Sequence, residues 1–293
     1  PILEAPAYVG ITVLFFALFA LFFVNGPLKN ALAIGVLFSL LLSWGKNFNI
    51  LTQLFIDYFP FYNKFRAVSS IQVVLELCMP ILASMGLYWI FSKADSVNVK
   101  RLLKVGLLPI GILTLLLFFK SSFSFLGLND GYFEEIYGVD LVNQIVSARK
   151  SIFNQDLVRG ILYCLVLMCL VIAINTNKVK KPVALIIVLG ILLFDLLGIS
   201  SRYIDYDGFV SKKNTQNSFR QTKADKAILQ DTTHYRVYEP QLRLNGARTA
   251  YFHNTIGGYH GAKPRRFEEL YNYYNTHQIS GVLDMLNIKY ILF

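Results

Sequence analysis

The chain has 293 residues, of which 55% are hydrophobic and only 16% charged, with a formal net charge of +10. A soluble globular protein carries about 25% charged residues, so this composition excludes one uniformly water-facing domain. The basic excess does not indicate nucleic acid as a partner, because many of the Lys and Arg sit in short connections beside apolar runs, where membrane topology accounts for them.

A membrane-crossing helix needs about 20 mostly apolar residues. In chain order, stretches 8–24, 28–44, 71–91, 102–119, 158–174 and 183–199 read as transmembrane helices. Asn25-Gly26-Pro27 makes a tight turn between the first two. The expected fold is a polytopic α-helical membrane protein of about six spans over residues 1–200. A C-terminal extracytoplasmic α/β domain follows over 201–293. Lys93, Lys100, Arg101 and Lys104 crowd the third connection, Lys178, Lys180 and Lys181 the fifth, and Lys29 lies beside the first. Cytoplasmic loops collect Lys and Arg. Loops 45–70 and 120–157 and everything after Ser200 are therefore expected outside the cytoplasm. Within loop 120–157, residues 134–149 suggest a short surface helix after the Asp130-Gly131 turn. In the tail, a strand is expected near 235–239, a glycine-punctuated loop around Gly257-Gly258, helices over 265–277 and 282–286, and a strand from Lys289. Pro1 at the start and an apparent strand at the end suggest a piece of a longer protein.

Cys78, Cys164 and Cys169 all fall in apolar runs, where they read as small buried hydrophobes, and the tail has no cysteine. Glu76 and Asp195 interrupt apolar runs roughly 9 Å and 6 Å from the outer ends of their helices. A charge at that depth costs a few kcal/mol, about 2.5–3.5, unless paired, protonated or facing water. They are either helix-packing residues or the lining of one cavity in the outer leaflet, together with Asp57. Around 57–66, aromatic side chains alternate with cations. Tyr62, Lys64 and Arg66 form either an interfacial belt on lipid headgroups or a pocket for one phosphate, to which a guanidinium fork is suited. His234, His253, His260 and His277 match no zinc spacing, so no metal site is assigned and no cofactor is identified, a divalent metal requirement staying open. The segment from Gly257 to Lys263 lacks the spacing of a nucleotide-binding loop. Lys263, Arg265 and Arg266 at the start of a helix are either an anion-binding surface or a solvated charge run.

Three separated blocks carry a family resemblance. They are Phe59-Pro60-Phe61-Tyr62-Asn63-Lys64-Phe65-Arg66, the stretch from Ala247 to His253 and on through Ile256 to Lys263, and Val282-Leu283-Asp284-Met285-Leu286-Asn287-Ile288-Lys289-Tyr290. Each resembles the bacterial YfhO family of large membrane proteins, in its Bacteroidetes-type branch. The resemblance implies a GT-C-like glycosyltransferase in the bacterial inner membrane, using a polyprenyl-phosphate sugar at the outer leaflet to modify an envelope polymer or glycan. Its partners would be membrane lipids, a lipid-linked sugar and that polymer. Tyr62, Lys64 and Arg66 would hold the donor phosphate. Arg248, His253, Tyr259, His260 and Lys263 would face the acceptor. The catalytic acidic residue of such enzymes lies in the first outer loop of the whole protein, so none is assigned here. A flippase for a lipid-linked precursor and a non-catalytic envelope assembly factor are the alternatives.

Overall fold

The computed structural model describes residues 7–293 except 65–67, 128, 205, 218 and 261–262. The chain divides into two compact units, Pro1–Ile204 and Asp205–Phe293.

The first unit is a helical bundle. Its helices are α1 (Ile11–Phe23), α2 (Pro27–Ser43), α3 (Asn49–Tyr58), α4 (Gln72–Lys93), α5 (Val99–Phe118), α6 (Asp130–Tyr137), α7 (Val139–Asn175) and α8 (Lys181–Ser200). Among the described residues, four helices are long and apolar enough to cross a membrane: α4 within Ser69–Ser96, α5, α7 and α8. The count is five if α2 and the helical stretch Gly45–Tyr58, which bends from it by 106°, form one broken span. The six crossings expected from hydropathy are therefore reduced at the start of the chain. Stretch 8–24 yields a helix of 13 residues, about 20 Å long at about 1.5 Å per residue, short of the roughly 30 Å hydrocarbon layer. Loop 45–70 is not simply a loop, since α3 occupies part of it.

The short helix α1 is the centre of the bundle. Phe15, Phe16, Ala17, Phe19 and Ala20 are all buried. Small residues on its neighbours let the backbones approach. A Cβ on Gly86 of α4 would fall on the Phe16 carbonyl, and one on Gly160 of α7 would meet the side chains of Leu113 and Ile11. Near the ends of α1 and α4, the Phe23 and Trp89 rings stack with centroids 4.3 Å apart, so these two helices run in the same direction.

The lysine-rich connections share one end of this bundle. The Asn175 side-chain amide, at the end of α7, donates to the carbonyls of Ala94 (2.5 Å) and Val97 (2.9 Å) in the α4–α5 link. That pins Lys93, Lys100 and Arg101 near the α7–α8 link with Lys178 and Lys180. At the other end, α7 outruns any bilayer. Its 37 residues span about 55 Å, and its first half carries Asp140, Arg149, Lys150 and Asp156. Gly138 (φ 86°) breaks it from α6. Asp130 of α6 grips Arg149 through both guanidinium nitrogens, at 2.5 and 3.0 Å. The hydrogen bonds of that pairing hold the Asp130 carboxyl below the usual carboxylate range.

The second unit contains α9 (Lys212–Asn217), α10 (Lys223–Ile228), α11 (Ala247–Phe252), α12 (Arg265–His277) and α13 (Gly281–Met285), with two strands, β1 (Arg236–Tyr238) and β2 (Ile288–Ile291). The strands pair in parallel. Tyr238, Leu244, Ile256, Tyr271, Val282 and Leu286 form one core and Ile228, Tyr235 and Val237 another. Asp231 ties the sheet together by accepting from Lys289 Nζ (2.5 Å) and the Tyr290 hydroxyl (2.8 Å) of β2.

Substitution separates the tight helix contact from the loose one. Gly86→Ala should destabilise the bundle by about 1–3 kcal/mol, because the added carbon overpacks the α1 backbone. Gly111→Ala on α5 meets open space and should leave the thermal midpoint in the same detergent unchanged or slightly raised. Equal behaviour of the two variants would contradict the close α1–α4 contact.

Candidate functional site

Away from the lysine-rich end, the bundle holds a chain of alternating charges. Asp195 of α8 is fully buried. It accepts from the Tyr8 hydroxyl at 2.6 Å and from the Thr12 backbone N–H at 3.1 Å. The second bond places a carboxylate on the N-terminus of α1, where unpaired N–H groups and the helix dipole favour a negative charge. Gly10 (φ +91°) makes room: a Cβ there would stand 3.1 Å from Asp195 Oδ2. Arg159 of α7 donates to the Tyr8 hydroxyl at 3.3 Å and lies 3.5 Å from Asp156. Asp156 in turn accepts from both Nη atoms of Arg202, at 2.9 and 2.7 Å. Two cations and two anions balance, from the buried Asp195 to the solvent-exposed Asp156–Arg202 pair.

Also away from the lysine-rich end is a pocket of about 400 Å³, lined by Lys120, Ser121, Phe123, Phe125, Lys150 and Asn154. Phe123, Phe125 and Phe153 pack edge to face, with centroids 5.3–6.2 Å apart. Asn154 Oδ1 is buried with no partner among the described residues. Two ammonium groups over an aromatic wall suit an anion with an apolar attachment.

The residues proposed from sequence for the outer-leaflet cavity do not converge. Asp195 is sealed inside the protein, whereas Glu76 is exposed on α4, and no hydrogen bond or ion pair joins them. A single solvated cavity serving both is therefore not formed: the carboxylate of Asp195 is used to cap α1. Asp57 is exposed and accepts from Gln53 one turn earlier, at 2.9 Å. Tyr62 packs its ring on Phe55 (5.4 Å) and buries a hydroxyl without a partner among the described residues. The Lys64 side chain and Arg66 lie outside the described residues.

In the second unit, two of the five expected acceptor contacts turn inward. The fully buried Asp225 accepts from the Thr222 N–H and hydroxyl, both at 2.7 Å, from Arg248, and pairs with His253 Nε2 at 3.0 Å. Burial alone would push the Asp225 carboxyl up, yet the bonds from Thr222, His253 and Arg248 outweigh it and hold the group well below the usual range. Arg248 and His253 thus brace α11 against the capped start of α10 and are structural. Tyr259 is exposed. His260 and Lys263 do share a cleft of about 190 Å³, with Arg236, Pro264 and Phe267. Lys263 there donates to the Asn245 side chain.

A larger cleft lies elsewhere in this unit. Lys213, Phe219, Arg220, Gln221, Lys226 and Tyr251 are among the residues lining about 930 Å³, and the Phe219 and Tyr251 rings lie 4.8 Å apart. Between 212 and 226 there are five Lys and Arg and one acid, the buried Asp225. That charge run is visible in sequence, but its pairing with Tyr251, some 30 residues on, is not. Among the described residues, no group of three or more His, Cys, Asp or Glu could hold a metal ion. No known family, curated protein or solved structure matches the chain.

The Asp225 network should be visible as pH dependence. A depressed folded pKa means that its stabilisation is complete above the unfolded value of about 3.9 and is lost as pH falls below it. Protection from hydrogen exchange in 222–253, relative to the intrinsic rate at each pH, should stay constant from pH 7 to pH 5 and fall towards pH 3. Asp225→Asn, which strands buried partners at a cost of about 3–5 kcal/mol, should speed proteolysis of this segment at least 100-fold at pH 7. Unchanged proteolysis would show that the network is not a brace.

Proposed function

We propose that the chain is a GT-C-like membrane glycosyltransferase of YfhO type, working on a polyprenyl-phosphate sugar at the outer leaflet of a bacterial inner membrane. The observation that supports this best is the Lys120–Lys150 pocket at the end of the bundle away from the lysine-rich connections. If those connections are cytoplasmic, the pocket faces the outer leaflet. The tail then follows α8 to the same side. This orientation uses only α5, α7 and α8, each long enough to cross, and so does not depend on how α1, α2 and α3 sit.

In the proposed reaction, an acceptor hydroxyl attacks the anomeric carbon of the donor. The bond from that carbon to the phosphate oxygen breaks, and polyprenyl phosphate leaves. Lys120 and Lys150 would neutralise the leaving phosphate as its charge grows, the role that the sequence alone suggests for Lys64 and Arg66. The basic cleft holding Phe219 and Tyr251 would bind an anionic envelope polymer, its cations on charged groups and its rings on sugar faces. His260 and Lys263 would belong to a separate surface. A base accepts the hydroxyl proton. No residue of this chain is assigned that role, and no cofactor or metal is invoked.

Membranes carrying the complete protein can be supplied with radiolabelled polyprenyl-phosphate sugars. Label should move into an envelope fraction. Lys120→Gln with Lys150→Gln should lower that transfer on the order of 100-fold at normal protein abundance, and Arg66→Ala should abolish it. Labelled lipid reaching the opposite leaflet with no transfer would replace this reading with a flippase. Neither event would leave an assembly factor.

A further inference from the structure

The face of α4 near the lysine-rich end is uncovered. Ile81, Ser84, Met85, Tyr88 and Ser92 recur at helical spacing and so lie along one stripe. Close packing at Gly86 holds α1 against a different face of α4. Where α1 stops at Phe23, the chain leaves through Val24 and Asn25 and turns at Gly26 (φ 139°) into α2. The result is a groove of about 620 Å³ between that turn and the α4 stripe.

The groove is graded along its length. Ile81 and Met85 wall the deep part, with Tyr88 and the stacked Phe23–Trp89 pair further along. Asn25, Ser92 and Lys93 line the part at the helix end. Arg101 stands over the Phe23 ring at 5.8 Å, adding a second cation beside that mouth. From Ile81 to Lys93 the helix rises about 18 Å, close to half of a roughly 30 Å hydrocarbon layer. Ile81, Ser84, Tyr88 and Ser92 are exposed, so the groove opens sideways, where a helix long enough to cross a membrane meets lipid.

We infer that this groove is a binding site for one anionic glycerophospholipid of the leaflet at the lysine-rich end. An acyl chain lies along Ile81, Met85 and Tyr88, and the phosphate lies at Lys93 and Arg101. Length match favours a chain from one leaflet, and charge at the mouth favours an anionic headgroup over a zwitterionic one. The inference needs only that the bundle is embedded in a membrane, and does not rest on the glycosyltransferase reading.

Trp89 reports on the groove directly, since Trp44 and Trp89 are the only tryptophans. The complete chain carrying Trp44→Phe can be reconstituted with lipids brominated on the acyl chain, which quench tryptophan on contact. Brominated phosphatidylglycerol should saturate the quenching of Trp89 at about fivefold lower mole fraction per engaged cation than brominated phosphatidylcholine. Lys93→Gln with Arg101→Gln, both on exposed side chains, should erase that preference while leaving folding intact. Ser84→Phe, which fills the groove, should remove the saturable component. Equal quenching by the two lipids, or a preference that survives the double substitution, would overturn the inference. So would displacement by unlabelled polyprenyl phosphate at lower mole fraction than by phosphatidylglycerol, which would assign the groove to a prenyl carrier.

Discussion

A short helix at the centre of an apolar bundle has to satisfy its own first N–H groups, because hydrocarbon offers no water to do so. In this protein that constraint falls on α1. Its residues are among the most buried in the molecule, and its start lies inside the protein. Asp195 answers it from α8, more than 180 residues away in sequence, by accepting the Thr12 N–H. Placing a carboxylate there then requires compensating charge and hydrogen-bond donors. Tyr8 donates to the carboxylate, Arg159 donates to Tyr8, Asp156 approaches Arg159, and Arg202 closes the series on Asp156. One capping requirement thus joins α1, α7 and α8 through polar contacts in addition to their apolar packing.

The same bundle has two chemically different ends. At one, Asn175 draws together links in which Lys and Arg far outnumber the single acid, Asp95, which fits contact with anionic lipid headgroups. At the other, charges are paired with geometric care, in Asp130–Arg149 and Asp156–Arg202, and the Lys120 and Lys150 ammonium groups line an aromatic pocket. An excess of cations is tolerated where solvent and headgroups screen it. Paired charges are needed where helices pack around them.

How much of this was legible in the sequence depended on the range of the interaction. Apolar runs marked α4, α5, α7 and α8, because span length is a local property. The same rule overstated stretch 8–24, since hydropathy cannot distinguish a lipid-facing span from a short helix wrapped on all sides by protein. It also passed over α3, whose ten residues mix polar with apolar types. In the tail, the helix over 265–277 and the strands near 236 and 289 followed from local pattern. Asp195 was recognised as costly, but its partners lie at positions 8 and 12, so its capping role had no local signature. Asp156 and Arg159, three residues apart on one helix face, did offer such a signal and were overlooked. Arg248 and His253 looked like ligand-binding residues because of their chemistry. Residue type alone does not show that a side chain turns inward to Asp225.

The functional account stands on the orientation of the bundle, with the cation-rich links in the cytoplasm and the Lys150 pocket and the tail outside. Single cysteines in a background lacking Cys78, Cys164 and Cys169 test this, using a membrane-impermeant maleimide on spheroplasts. Lys150→Cys and Tyr259→Cys should label in intact spheroplasts, and Lys178→Cys only after the membrane is opened. Labelling of Lys178→Cys from outside, with Lys150→Cys and Tyr259→Cys protected until lysis, would turn the pocket towards the wrong compartment and contradict the account.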